Sequence, residues 1–407
     1  MMRRADYSST PFEAQAPRAV DDVAAPAVMQ VLPRLVAGGV ERGTIDIAAA
    51  LVQSGWRAIV ASEGGPMVRE LERAGAIHLT LPVASKNPLV IHRNVARLIE
   101  AVRAHRVDLV HARSRAPAWS AYYAARRTGA KFVTTFHGAY KARGELKRWY
   151  NGIMARGERV IAISEFIANH VVDRYGCDPA RVRMIPRGVD LFRFDPQNVS
   201  AERVIQLARE WRLPDGVPVI MLPGRLTRLK GHPILIEAMA QLGRRDICCL
   251  LVGGDDRHAR YRRELENLIR ARGVESMVRL VAHCRDMPAA FMLADVVVSA
   301  SVEPEAFGRV AAEAQAMGRP VVASDHGGSR EVVVPGKTGW LVKPGDPAAL
   351  AAAIDEALAL DADARALLAT QATERVHAEF SRERMCEATL GVYAELLDAA
   401  RAASRAS

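Results

Sequence analysis

The chain has 407 residues, half of them hydrophobic and a quarter charged, which is ample for two or three domains with buried cores. No run of about 18 apolar residues is present to span a bilayer, which argues against an integral membrane protein built on helices. A formal net charge of +10 favours an anionic partner such as a phosphorylated substrate, a nucleotide or a membrane face; the low aromatic content and the lack of a zinc-finger or RNA-recognition signature argue against nucleic acid.

Residues 1–26 are polar and proline-rich without an apolar h-region, so they predict a disordered leader rather than a signal peptide, and the chain is expected in the cytoplasm. Short apolar or β-branched runs then alternate with helix-length segments. "VMQVLPRL" precedes a helix from about Thr44 to Ser54, "RAIVAS" one near Met67 to Ala74, and "IHLTLP" one near His92 to Arg103. "VDLVHA", a helix across "AWSAYYAARRT", "KFVTTF" and "RVIAIS" complete the first half. The pattern restarts with "PVIMLPG", "CCLLVGG", "MVRLVA", "DVVVSAS", "PVVAS" and "GWLV".

Such alternation predicts an α/β protein with two doubly wound, Rossmann-like halves on mostly parallel sheets. The join is expected at about residues 187–217, where Pro and Gly cluster, with a first domain over 27–195, a second over 196–378 and a terminal segment over 379–407. In that terminal segment Met385, Thr389, Val392 and Leu396 recur at helical spacing, which predicts a helix that packs back across the cleft. Parallel sheets of this kind bind ligands outside the carboxyl ends of their strands, so the expected pocket lies between the halves. Cys177, Cys248, Cys249, Cys284 and Cys386 are odd in number, lack metal-ligand spacing and read as reduced core residues.

Four stretches carry candidate chemistry. "QVLPRLVAGGVERGTIDIA" ends a strand with Gly38 and Gly39 before a helix, a tight turn that lets backbone amides approach a ligand. A dinucleotide site is a rival reading of that turn, but GxGxxG is absent. "KFVTTFHGAYKA" leaves His137 at a strand end facing the cleft, where it can serve as acid, base or hydrogen-bond donor. "LPGRLTRLKGH" places Arg225 and Lys230 in a loop entering a helix, suited to neutralise a diphosphate from one side.

The fourth, "SVEPEAFGRVAAEAQAMG", sets Glu305 ahead of a Phe307-Gly308-Arg309 turn and Glu313 along the helix that follows. Free amides at that helix start suit a phosphate, and two carboxylates can each accept vicinal hydroxyls. A ligand with a sugar at one end, a diphosphate in the middle and a ribose at the other satisfies the arrangement.

Two further stretches stay open between a functional and a bland reading. The mix of Lys141, Arg143, Lys147, Arg148, Trp149 and Tyr150 suits a phosphorylated or lipid-linked acceptor or an anionic membrane surface, and equally a solvated helix with one packed aromatic face. "RSRAPAW", Arg113 to Trp119, fits the acceptor side for the same reason. Asp255 and Asp256 stand adjacent rather than in Asp-x-Asp spacing, so no required metal is expected and a helix-capping or loop role is assigned to them.

Together "EAFGRVAAE", "GRLTRLKGHPILIEAM", "LVGGDDRHARYRRELENL", "GGVERGTIDIAAAL" and "TTFHGAY" resemble the family-four glycosyltransferases of the GT-B fold, over residues from about 28 to 400. The resemblance implies a retaining, metal-independent enzyme that moves a sugar from a nucleoside-diphosphate sugar, of UDP or GDP type and with no further cofactor, to a glycan or lipid-linked acceptor. Cell-envelope polysaccharide or lipopolysaccharide synthesis, at the cytoplasmic face of the membrane, is the setting it suggests.

Carried over residue by residue, the resemblance puts the donor sugar at Glu305 and His137, the ribose at Glu313, and the diphosphate at Arg225 and Lys230. The amides of Phe307, Gly308 and Arg309 would hold the distal phosphate, and Gly38 and Gly39 would face the donor across the cleft, with Glu41 or Arg42 helping to position acceptor or loop. The alternatives are a catalytically silent binding subunit of a glycan-assembly complex, a GT-B nucleotide-sugar epimerase, or a phosphorylase, whose cofactor-lysine environment is not evident.

Overall fold

The computed structural model describes residues 25–36, 38–141, 144–254, 259–282 and 284–406; the expected leader lies outside these apart from residues 25 and 26. Seven parallel strands form the first sheet: β1 (Ala27–Val31), β2 (Arg57–Ser62), β3 (Ile77–Thr80), β4 (Leu109–Ala112), β5 (Lys131–Phe136), β6 (Arg159–Ala162) and β7 (Val182–Met184). Six parallel strands form the second: β8 (Val219–Pro223), β9 (Cys248–Gly254), β10 (Val278–Ala282), β11 (Val296–Ser299), β12 (Val321–Ser324) and β13 (Trp340–Val342).

The central strands are buried on both faces, which is why β1, β4, β8 and β11 read as near-continuous apolar runs rather than as alternating ones. Strand order is β3-β2-β1-β4-β5-β6-β7 in the first sheet and β10-β9-β8-β11-β12-β13 in the second. Each order reverses direction beside its first strand. The loops that leave β1 and β4, and those that leave β8 and β11, therefore flank the crevices where such sheets accept ligands.

Several expected boundaries move for local reasons. The helix expected near Thr44 begins at once after the Gly-Gly turn and runs Gly39–Gln53. The one expected near His92 runs Pro88–Ala104, because Asn87 Oδ1 accepts the Leu89 N–H at 2.9 Å and Pro88 fits the first turn. β7 is three partly exposed residues at a sheet edge, too short to show a period of its own. Within the expected join lies a capped helix, Ala201–Glu210. All five cysteines are free, and Cys284 is half-buried while the other four are buried.

The chain crosses between the sheets twice, and the two crossings lie side by side. The Val189 N–H donates to the Phe380 carbonyl at 2.8 Å, and the Arg382 N–H donates to the Val189 carbonyl at 2.9 Å. From there the helix Arg382–Ala406 returns to the first sheet, as its apolar spacing predicts, burying Met385, Thr389, Val392 and Leu396. Its Tyr393 is fully buried, with its hydroxyl 2.6 Å from His111 Nδ1, while His111 Nε2 lies 2.7 Å from Thr135 Oγ1. No helix among the described residues is long and apolar enough to cross a membrane.

Candidate active site between the two sheets

On the second sheet the loop after β8 and the loop after β11 meet. Lys230 Nζ donates to Glu305 Oε1 at 2.6 Å, and Ser301 Oγ donates to the same oxygen at 2.5 Å. Burial pushes the Glu305 carboxyl up, but the Lys230 charge and these two hydrogen bonds outweigh it and hold the group below the usual carboxylate value. The backbone of the same residue is fixed from a third direction, since the Gly328 N–H, in the loop after β12, donates to the Glu305 carbonyl at 2.8 Å. Arg225, earlier in the same loop as Lys230, is exposed, and its side chain has no hydrogen-bond or ion-pair partner among the described residues.

Phe307 is 4% exposed and meets Phe380 edge-on at 5.4 Å, so its ring belongs to the core and only its backbone is left for a ligand. Gly308 follows in the left-handed region, at φ 91°, where a side chain would be strained, and the helix Arg309–Ala316 starts at the next residue. Arg309 Nε pairs with Glu313 Oε1 at 3.0 Å one turn along. Burial pushes the Glu313 carboxyl up, and the cations Arg309, Arg193, Arg187 and Lys230 offset this in part.

The first sheet faces these groups with Gly38 and Gly39 after β1, Arg113 after β4, His137 after β5 and Arg187 after β7. Arg187 Nη1 donates to His137 Nδ1 at 3.0 Å, and its Nη2 donates to the Gly39 carbonyl. Because an arginine can only donate, His137 Nδ1 is the acceptor and its proton sits on Nε2. That Nε2 is buried without a partner among the described residues. Burial, then the charges of Arg113 and Arg187, hold the imidazole well below its ordinary value, so it stays neutral. Of the open possibilities for His137, this geometry favours a hydrogen-bond donor.

Direct contacts join the two sides. Ser164 Oγ donates to the Ala306 carbonyl at 2.6 Å, Lys141 pairs with Glu303, and the Glu331 carboxylate accepts the N–H groups of Glu165 and Phe166 at 2.7 and 2.9 Å. Arg42 pairs with Glu70, away from these groups, while Glu41 lies by Gly38, where a Cβ would come 2.7 Å from its Oε2.

Sequence reasoning named His137, Glu305, Glu313, Arg225, Lys230 and the two glycine turns. The structure joins Lys230 to Glu305 and Arg309 to Glu313, links His137 to Gly39 through Arg187, and sets Arg309 Nη1 3.0 Å from where a Cβ on Gly39 would lie; among the described residues no hydrogen bond or ion pair ties the Arg225 side chain to them. It missed Arg187, Ser301, Gly328 and Glu331. Arg187 stood among the Pro and Gly of the expected join, where nothing marked it; the Gly-Gly pair of "DHGGSREVV" after a buried strand could have pointed to Gly328.

The basic and aromatic stretch forms the helix Glu145–Gly152, with Leu146 80% and Trp149 57% exposed; Arg143 lies outside the described residues. Trp149 packs on Trp119 at 4.4 Å, as the reading of a solvated helix with one packed aromatic face expects. Arg115 stacks over the Tyr140 ring at 4.2 Å. Asp255 and Asp256 lie outside the described residues, among which no cluster of His, Cys, Asp or Glu is arranged to hold a metal ion.

Comparison with known proteins matches residues 37–193 to the model of Glycosyltransferase Family 4 and residues 205–375 to that of Glycosyl transferases group 1. A D-inositol 3-phosphate glycosyltransferase of Salinispora tropica is 35% identical over 73% of this chain, which spans 66% of that protein's length. The crystal structure of a glycosyltransferase from Rickettsia africae superposes with a TM-score of 0.86 at 38% identity, over 92% of this chain and 99% of that one. Anabaena HepE, crystallised with UDP and glucose, superposes with a TM-score of 0.80 at 24% identity, over 91% of this chain and 100% of its own.

Proposed function

Because this chain belongs to glycosyltransferase family 4 and has the GT-B architecture, and is therefore a glycosyltransferase, we propose that it is a retaining, metal-independent enzyme using a nucleoside-diphosphate sugar. The observation that carries this reading is the Lys230–Glu305 pair at the carboxyl ends of β8 and β11, opposite His137 and Gly39. In this reading Glu305 accepts hydroxyls of the donor sugar, His137 Nε2–H donates to it, and Glu313 accepts the ribose hydroxyls. Arg225 and Lys230 neutralise the charge that grows as the diphosphate leaves, which is the service a metal gives elsewhere. The amides of Phe307, Gly308 and Arg309 hold the distal phosphate.

As the bond from the sugar C1 to phosphate oxygen breaks, an acceptor hydroxyl attacks C1 from the same face and passes its proton to the departing phosphate oxygen. No carboxylate nucleophile is needed. Catalysis then rests on positioning and on charge stabilisation in a cleft closed by contacts such as Glu331 to Phe166. We place the donor in the UDP or GDP class, the acceptor among glycans or lipid-linked glycans of the cell envelope, and the enzyme at the cytoplasmic face of an anionic membrane, with the helix Glu145–Gly152 turned toward it. We divide the chain into a first domain over 27–195, a second over 196–378 and the crossing helix over 379–407.

The test is calorimetry with UDP, GDP and ADP and their sugars, with and without chelator, followed by NMR of the product anomer. Tight binding of one diphosphate that survives chelator and is lost in Arg225→Ala is expected, with the donor's anomeric configuration kept. An inverted product would end the retaining reading; no binding by any diphosphate would favour a silent subunit.

A further inference from the structure

Three arginines from distant parts of the chain gather over the first turn of the helix Gly39–Gln53. A Cβ placed on Gly39 would lie 2.8 Å from Arg187 Nη2 and 3.0 Å from Arg309 Nη1; one placed on Gly43 would lie 3.2 Å from Arg113 Nη2 and 3.4 Å from Arg187 Nη2. Both positions are glycine, so the guanidinium tips reach the helix backbone unobstructed. Arg113 is 3% and Arg187 8% exposed, yet among the described residues neither forms an ion pair, and Arg113 Nε is buried without any partner. Arg113 Nη1 donates to Gln30 at 3.2 Å, and Arg187 donates to His137 and the Gly39 carbonyl; all three acceptors are neutral.

Buried like charges with neutral partners are costly, and a protein keeps them where an anion completes the site. Here the cost is visible: burial, with the repulsion of Arg113 and Arg309, pushes the Arg187 guanidinium down to about 9, and Asp46 and Glu41 compensate only in part. In the reading above, the guanidinium groups of Arg113 and Arg187 have no part in holding the donor diphosphate. Arg225, Lys230 and the amides at Gly308 already face a diphosphate from the second sheet, whereas Arg113 and Arg187 belong to the first sheet, beside the crevice between β1 and β4.

We propose that Arg113, Arg187 and Arg309 form a second anion site, which receives a phosphoryl group carried by the acceptor itself. The inference rests on the transferase reading above and adds the acceptor's chemical class. Three planar, multi-donor cations suit a dianionic phosphoryl group better than a single carboxylate. Bound there, the acceptor would lie against His137 Nε2–H and the Glu305 side of the cleft, where its hydroxyl must attack.

The test is calorimetric titration of the full chain, first saturated with UDP, by inorganic phosphate, glucose 6-phosphate, glucuronate and glucose. Phosphate and glucose 6-phosphate are expected to bind the UDP-saturated protein and glucose is not. Arg113→Gln and Arg187→Gln should each weaken glucose 6-phosphate at least about ten-fold, while in Arg113→Gln UDP affinity changes less than about two-fold. Arg187→Lys, which keeps the charge and controls for folding, should lie between wild type and Arg187→Gln.

Loss of phosphate binding once UDP is present, or loss of UDP affinity in Arg113→Gln, would assign these arginines to the donor and overturn the proposal. Glucuronate binding as tightly as glucose 6-phosphate would overturn the phosphoryl assignment. Failure of UDP to bind at all strikes the donor reading instead, and phosphate titrated into the protein without UDP then still tests the arginine site.

Discussion

Lys230 and Glu305 come from loops 75 positions apart and meet as a hydrogen-bonded ion pair at 2.6 Å. The pair resolves a conflict between burial, which favours the neutral acid, and charge, which favours the carboxylate; charge wins and Glu305 lies below its ordinary value. Its pairing therefore adds stability above the usual carboxylate range, lost as pH falls through the lowered value. Replacing Lys230 by Met leaves a buried carboxylate with Ser301 as its remaining side-chain donor. We expect kcat/KM to fall by about 10²- to 10³-fold, as for loss of one preorganised charge, with the acid limb of the pH profile moved to higher pH. An acid limb unmoved in Lys230→Met would sink this account of Glu305.

Acid should destabilise the fold through its histidines. Burial is the main cause that holds His111 and His137 well below the ordinary value and pushes His232 down to about 4. Unfolded, each takes a proton near pH 6.5; folded, it does not, so the contribution is whole above that pH and shrinks as pH falls toward the folded values. Each such group costs about 1.4 kcal/mol per pH unit inside its window. Asp46, pushed up to about 6 by burial, works in the opposite direction. Urea denaturation at pH 7.5, 6 and 5 should show falling stability, with a flatter dependence in His232→Gln. An identical slope in that variant would refute the assignment.

Glu331 caps a helix of the opposite domain. Its carboxylate accepts the N–H groups of Glu165 and Phe166 at the start of the helix Glu165–Tyr175, beside Ser164 Oγ, which accepts the Ile167 N–H at 3.1 Å. A cap of this type contributes about 0.5–2 kcal/mol, here toward closure of the cleft. In Glu331→Ala, small-angle scattering should show a larger radius of gyration and the donor KM should rise. Unchanged scattering would mean that closure does not depend on this contact.

The helix Glu145–Gly152 shows Leu146 and Trp149 to solvent next to Lys147 and Arg148. Cosedimentation should find the protein on phosphatidylglycerol vesicles, weakly or not at all on phosphatidylcholine, and less so as salt rises. The double variant Leu146→Ser, Trp149→Ala should bind about ten-fold more weakly. Equal binding to both lipids, or to both proteins, would return this helix to its bland reading.

Local patterns determined a good deal. Runs such as "RAIVAS", "KFVTTF" and "CCLLVGG" became strands with the same ends, since a buried parallel strand must be apolar on both faces and is bounded by polar turns. The spacing of Met385, Thr389, Val392 and Leu396 was enough to predict a packed terminal helix. Glycines at 38, 39 and 308 marked turns because few other residues tolerate those approaches or dihedrals.

Tertiary structure alone decided the rest. Nothing near Arg187 in the sequence foretells that it would lie against His137 and Gly39, or share a site with Arg113 and Arg309. Those contacts depend on strand order and on the path of the segment after β7, from which the Arg187 side chain reaches the loops after β1 and β5. The same holds for His111 with Tyr393 and for Glu331 with Phe166. Periodicity is a property of a few turns of backbone, and it fixes which face of an element is buried; which charged groups meet is set by how distant elements are brought together.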